Sequence, residues 1–389
     1  MRTMPDQTAT LNAAAEADDA FGDDLYRVLT EDTAETVFSP ASIACALQMT
    51  LCGARGDTAA ELARALHLDG SAPAASAADG LTLLTSLFGD VAARGLVTFR
   101  APNTMWVQAG LALLPQFTAQ LRDAAAVAVH DADFAAAPEA ARSEINRVIA
   151  EQTAGKITDL LPPGSIDRLS RLVLANAVYL KAAWAQTFNE KATGDARFYP
   201  DGPDRPSATV RMMHGTATRS YLSRDGYQAV VLPYADARLA MAIVLPDGPL
   251  AALRPVIAAD GLRGLLAGGT RHQVTLSLPR FRLEARFDLI PVLRQLGVQL
   301  AFSGDGDFGG IAEGEALRIG AIAHQAYIDV DERGTEAAAA TAVAFAASAI
   351  MRPPPKVTMT VDRPFLFAIV DTQTGLPLFI GQVSHPQVP

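Results

Sequence analysis

The feature that most constrains this chain is GTEAAAATAVAFAASAIMRPPPKV, which begins at Gly334 and is made almost entirely of small residues. It lies between the strand-like HQAYIDVDER (324–333) and the strongly apolar VDRPFLFAIVDTQTGLPLFIGQV (361–383). A globular fold that contains it must hold two core elements apart and display the segment between them. Read with a period of two, one face carries Thr335, Ala337, Ala339, Thr341, Val343 and Phe345, and the other carries Glu336, Ala338, Ala340, Ala342 and Ala344. The first face has no charge, which is the pattern of a strand with one buried side. Polyalanine is also the best helix former, so local propensity alone leaves a helix or a tether open. Pro353, Pro354 and Pro355 stiffen the far end as polyproline II and hold the segment off the body.

The rest of the chain supplies an ordinary core. Of 389 residues half are apolar and 19% charged, and the net charge of −10 excludes a general phosphate-binding surface, since that needs clustered Lys and Arg. No nucleic-acid, membrane or heparin-type partner is expected. Cys45 and Cys52 are seven apart on a helical stretch, roughly 10 Å along one face, too far for a disulfide, and read as small buried hydrophobes. No apolar stretch follows Arg2 in the manner of a secretory leader, so the expected location is cytoplasmic, or extracellular if a leader was removed or export is unconventional.

Periodicity predicts helices at 40–53, from 57 onwards and at 143–155, and strands at 104–108 and 171–184. Two strands around a turn are expected in YQAVVLPYADARLAMAIVLPDG and a single further strand in HQVTLSLPRFRLEA. The sum is an α+β domain with long antiparallel sheets. SGDGDFGG has the glycine spacing of a dinucleotide loop, but Asp305 and Asp307 would repel a pyrophosphate, so it reads as a turn. The six histidines are scattered without metal-ligand spacing, and no nucleophile motif occurs, so neither an enzyme nor a metal or cofactor is expected.

DERGTEAAAATAV followed by RPFLFAIVDTQTGLPLFIGQV resembles the hinge and C-terminal strands of the serpins, the serine-protease-inhibitor family. FSPASI (38–43), INRVIAEQTAGKITDLL (145–161), NAVYLKAAWAQTF (176–188), VRMMH (210–214) and LPRFRLEARFDLIPVLRQLGV (278–298) resemble family blocks in the family's order. Ala182 and Ala183 depart from it, standing where a Gly is usual. The resemblance implies a serpin fold, with a large central sheet, further antiparallel sheets, eight to nine helices and an exposed reactive-centre loop at about 334–356. It divides the chain into a tail, 1–20, and one domain, 21–389.

It further implies a monomeric suicide substrate. A protease cleaves the loop, the loop inserts as a strand of the main sheet, and the protease is trapped as a covalent acyl-enzyme. Serpin loop insertion is itself a standard illustration of strand addition and stored-strain release. Fourteen residues at about 3.3 Å span roughly 45 Å, and ladder bonds with apolar burial contribute on the order of 10 kcal/mol or more. The uncleaved form is then a kinetic trap. The inhibitory hinge corresponds to Glu332, Gly334, Thr335, Glu336, Ala337, Ala338, Ala339 and Ala340, where charge or proline on the inward face would stop insertion.

In the family the scissile residue lies sixteen after the hinge glutamate, which places the bond at Ser348–Ala349, with Ala347, Ile350 and Met351 as alternatives. Arg352 precedes Pro353, a poor fit for trypsin-like clefts. Small residues at 346–348 point to subtilisin-like or elastase-like targets, with papain-like cysteine proteases or a non-inhibitory carrier, chaperone or storage role as alternatives. Ser39, Ser42, Asn176 and His324 match the family's shutter, and Trp184, Phe198, Met212 and Met213 its breach.

Overall fold

The computed structural model describes residues 7–31, 33, 35–68, 72–93, 97–124, 128–202, 205–312, 317–335 and 353–387. The N-terminal third is helical, with α1 (Gln7–Leu29), a short strand β1 (Thr36–Phe38), α2 (Pro40–Gly53), α3 (Gly56–Ala65) and α4 (Pro73–Ala93). Helix α1 continues through position 20, and Ala14, Ala15 and Ala17 are buried, so part of the expected tail is packed helix. The start of α2 is written locally: Ser39 caps it by accepting from the Ser42 N–H, and Pro40 supplies a preset first turn. Every residue of α2 is buried, which makes it the central pillar of the fold. Cys45 and Cys52 lie on it as free, buried thiols, and burial pushes both pKa values up.

Then come β2 (Val97–Arg100), β3 (Asn103–Gln108), α5 (Pro115–Asp123), β4 (Ala128–Ala132), α6 (Pro138–Gln152) and β5 (Leu172–Ala183). The middle of the chain forms β6 (Gly194–Phe198), β7 (Ala208–Arg224), β8 (Tyr227–Pro233), β9 (Leu239–Pro246) and α7 (Arg254–Gly264). The C-terminal part adds β10 (Thr270–Pro279), β11 (Phe281–Asp288), α8 (Leu289–Gln295), β12 (Ile319–Val330), β13 (Gly334–Thr335), β14 (Lys356–Thr360), β15 (Phe365–Asp371) and β16 (Pro377–Val383). Among the described residues no helix is long and apolar enough to cross a membrane.

Two sheets result. A nine-stranded one runs β1-β16-β15-β9-β8-β7-β10-β14, with β6 beside β7, and a seven-stranded one runs β11-β12-β13-β5-β3-β4, with β2 beside β5. HQVTLSLPRFRLEA, expected to be one strand, is two: Pro279 ends β10 in the first sheet, and Phe281 starts β11 in the second. Proline lacks the N–H that a continuing ladder would need, so the chain changes sheet there. The sheets are also mixed where long antiparallel sheets were expected. Strands β5 and β12 run parallel, as do β3 and β4, and β10 and β14.

The alternation of β5 sets the layers. Leu172, Leu174, Val178 and Leu180 join the main core with α2, while Val173, Ala175 and Ala177 face the other way. On that second face Ala321 and Ala323 of β12 complete a floor of small residues, covered by Ile145 and Ile149 of α6. Helix α6 packs against β5, and Leu160 and Leu161 of the segment after it belong to the same buried cluster.

Candidate functional site

The seam between β5 and β12 has two regions. In the lower one the strands pair directly, from Leu172 opposite Ile319 to Tyr179 opposite Tyr327. In the upper one they part, and β13 fills the gap: Gly334 and Thr335 pair with Ala183 and Ala182, while Thr335 also pairs with Val330. β13 runs antiparallel to both neighbours.

The entry of β13 is built by a tight turn. Asp331 Oδ1 accepts from the N–H groups of Arg333, at 2.7 Å, and Gly334, at 3.2 Å, and the Asp331 N–H donates to the Gly334 carbonyl. Gly334 has φ +151°, and a Cβ there would stand 2.0 Å from the Ala182 carbonyl oxygen, so only glycine fits. Glu332 is buried and anchored by Thr193 Oγ1 and by Arg280, whose Nη2 lies at 2.8 Å. Burial opposes the charge on Glu332, but the hydrogen bonds from Thr193 and Arg280 hold its carboxyl below the usual range. Phe188 N–H donates to the Glu332 carbonyl, and Trp184 N–H to that of Arg333.

Thr335 is fully buried, and its hydroxyl meets the Tyr234 hydroxyl at 2.6 Å. Trp184 stacks on Tyr234 with ring centroids 4.6 Å apart and donates from Nε1 to the Asp331 carbonyl. Phe198, Met212 and Met213, grouped with Trp184 from sequence, are buried in the same core, on β6 and β7 of the nine-stranded sheet. The ring that lies against Trp184 is Tyr234, which the sequence reading did not single out. Its signal was a tyrosine ending the apolar run AVVLPY, indistinguishable there from a packing residue.

Below β13, the four polar residues grouped from sequence come together. His324 and Asn176 face each other across the parallel pair, and His324 Nδ1 is hydrogen-bonded to Asn176 Oδ1. His324 Nε2 accepts from the Ser39 N–H at 3.0 Å, so the proton of the neutral ring sits on Nδ1 and is donated to Asn176. Asn176 Nδ2 donates to the Ser42 carbonyl at 2.9 Å and hydroxyl at 2.7 Å. Asn103, at the start of β3, accepts from both Ser42 and Asn176 and was missed. An asparagine opening an otherwise apolar strand was the available signal. His324 is completely buried, which pushes its pKa down to about 3 and keeps it neutral.

The remaining hinge positions, Glu336, Ala337, Ala338, Ala339 and Ala340, lie outside the described residues, as do Ala347, Ser348, Ala349, Ile350 and Met351. Among the described residues no group of three or more His, Cys, Asp or Glu side chains could hold a metal ion.

A family model described as Serpin (serine protease inhibitor) matches residues 16–386. An uncharacterized serpin-like protein of Thermococcus kodakarensis is 36% identical over 370 residues, covering 95% of this chain and 84% of the relative. The leukocyte elastase inhibitor of Bos taurus is 35% identical over 383 residues, covering 95% and 98%. Among solved structures, human thyroxine-binding globulin aligns with a TM-score of 0.83 at 26% identity, over 97% of this chain and all of the other. The chain belongs to the serpin family. Serpins are protease inhibitors and not catalysts.

Proposed function

We propose that this serpin inhibits its protease as a suicide substrate. The protease attacks the carbonyl of Ser348 and releases the amine of Ala349. The segment from Glu336 onward then enters the seam between β5 and β12 before the acyl-enzyme is hydrolysed. The reading is carried by one observation: Gly334 and Thr335 already occupy the top of that seam, antiparallel to both neighbours. A strand antiparallel to two parallel strands can extend downward residue by residue, gaining ladder bonds on both sides as Tyr179 and Tyr327 part. Thr335, the first residue of the uncharged face, is buried as an inserted strand requires.

The strand would enter beside Ala175, Ala177, Ala321 and Ala323, which present little bulk on that face. Small residues before the bond suit a subtilisin-like or elastase-like pocket, and an elastase inhibitor stands among the relatives. Ala347, Ile350 and Met351 remain neighbouring choices of bond. We read the inhibitor as a monomer whose partner is the protease.

The test mixes the chain with subtilisin and with pancreatic elastase and examines it on a denaturing gel. A boiling-resistant band of summed mass is expected, with a released fragment beginning at Ala349 by mass spectrometry. Clean cleavage at every ratio would favour the second reading, a carrier without inhibition, since thyroxine-binding globulin, solved in complex with thyroxine, shares the fold. A complex with papain alone would move the target to the cysteine proteases.

A further inference from the structure

Arg219 lies on β7 between Thr218 and Ser220, is only 5% exposed, and shares the inward face of its sheet with Val274 and Leu276 of β10. Its side chain makes one hydrogen bond, from Nη1 to the Val274 carbonyl at a long 3.5 Å, and its guanidinium lies 5.5 Å from the centre of the Phe188 ring. A Cβ on Gly215 would stand 3.0 Å from that ring, so the ring is wedged in place. Directly opposite Arg219 on β10 stands His272, whose Nδ1 donates to the Thr270 carbonyl and which brings no negative charge. Among the described residues no carboxylate pairs with Arg219, and burial alone lowers its pKa, to about 10, which leaves it charged at neutral pH.

Arg238 shows what the same fold does with a guanidinium buried nearly as deeply, since Asp371 at 2.6 Å and Asp90 at 3.0 Å flank it. A buried charge ordinarily needs such a partner, because attraction to a ring face and one long carbonyl bond replace only part of the hydration lost. A guanidinium carries five N–H donors in a planar fork, and at Arg219 most of that fork is unused. Its Nε and Nη2 keep some contact with solvent, so the unused donors are within reach of a small ion.

We infer that Arg219 binds a small oxyanion, of the phosphate, sulfate or carboxylate type, taken from solution. The fork donates to two oxygens of such an ion side by side, a geometry that chloride or a single water cannot match. One buried guanidinium serves one ion, which is distinct from the clustered Lys and Arg of a general phosphate-binding surface. The site also lies against the hinge. Phe188, whose ring covers the guanidinium, donates its N–H to the Glu332 carbonyl at 2.9 Å, so an ion that fixes Arg219 and Phe188 also steadies the turn leading into Thr335.

The experiment titrates the full chain by calorimetry with inorganic phosphate, and separately with acetate, in a dilute chloride buffer. One saturable site is expected for the native protein, with acetate the weaker ligand because it carries less charge. Arg219→Met keeps an apolar stem against Phe188 and removes the charge, and it should bind phosphate about tenfold more weakly or worse. Arg219→Lys keeps the charge without the fork and should fall between the two; it decides alone if Arg219→Met does not fold. No saturable binding by the native chain, or equal affinity in native and variant, overturns the site. So does a melting temperature that phosphate raises equally in both, since that is the general exclusion of phosphate from protein surfaces. Hydrogen exchange at the Phe188 amide gives a reading independent of heat. Saturating phosphate should slow it several-fold in the native chain alone, and an unchanged rate there overturns the link to the hinge.

Discussion

The top and the middle of the β5–β12 seam are closed in opposite ways. At the top a third strand has begun, and Thr335 is held by one hydroxyl pair to Tyr234 and by ladder bonds. In the middle the two strands pair with each other, and His324, Asn176, Asn103, Ser39 and Ser42 lock that pairing to α2. The entrance is open and the passage is shut. On the proposed inhibitory reading, the barrier to further insertion lies at the polar cluster, where buried groups must exchange partners together.

The largest way to break the contrast is at the entrance. Thr335→Arg places a charge on a fully buried position, at a cost of several kcal/mol. Stoichiometry of inhibition is expected to rise about tenfold or more, and cleavage should no longer raise the melting temperature. An unaltered stoichiometry would mean that Thr335 need not stay in the sheet during trapping.

Removing the lock comes next. Asn176→Ala leaves the ring N–H of His324 without its buried partner and takes one of two partners from the Ser42 hydroxyl, which costs about 1–3 kcal/mol. Denaturant unfolding of the uncleaved form should show that loss. The cleaved form should show less of it, because an inserted strand separates Asn176 from His324.

Acid weakens the same lock. His324 takes up a proton at about 6.5 when unfolded but only near 3 when folded, so between those values the unfolded state binds more protons. Its contribution is intact above pH 6.5 and falls as pH drops toward 3, by up to about 1.4 kcal/mol per pH unit. A chemical-denaturation series from pH 7.5 to 4.5 should show this slope, and His324→Gln should flatten it. The smallest effect belongs to Tyr234→Phe, which removes one hydroxyl pair worth about 1 kcal/mol. Hydrogen exchange at the Thr335 amide should accelerate several-fold, with the amides of Asn176 and His324 unchanged.

Much of this site was legible before any coordinates. Ser39, Ser42, Asn176 and His324 were grouped by family resemblance, and the structure brings all four together. Asn103 and Tyr234 were not found, because each looks locally like a strand or turn residue and its role depends on a partner 73 or 101 residues away. The grouping of Phe198, Met212 and Met213 with Trp184 rested on apolar character, which records burial without naming the neighbour.

The sequence by itself determined the uncharged period-two face that begins at Thr335 and the capped, largely apolar α2. Each follows from local sterics or from the water-avoidance of one face, which a short stretch carries within itself. Only the tertiary structure decided that β5 and β12 run parallel with a gap at one end, that the HQVTLSLPRFRLEA stretch divides between two sheets, and that His324 is neutral. Those depend on which distant strand lies alongside and on how much water the packing leaves, and neither is a property of any single segment.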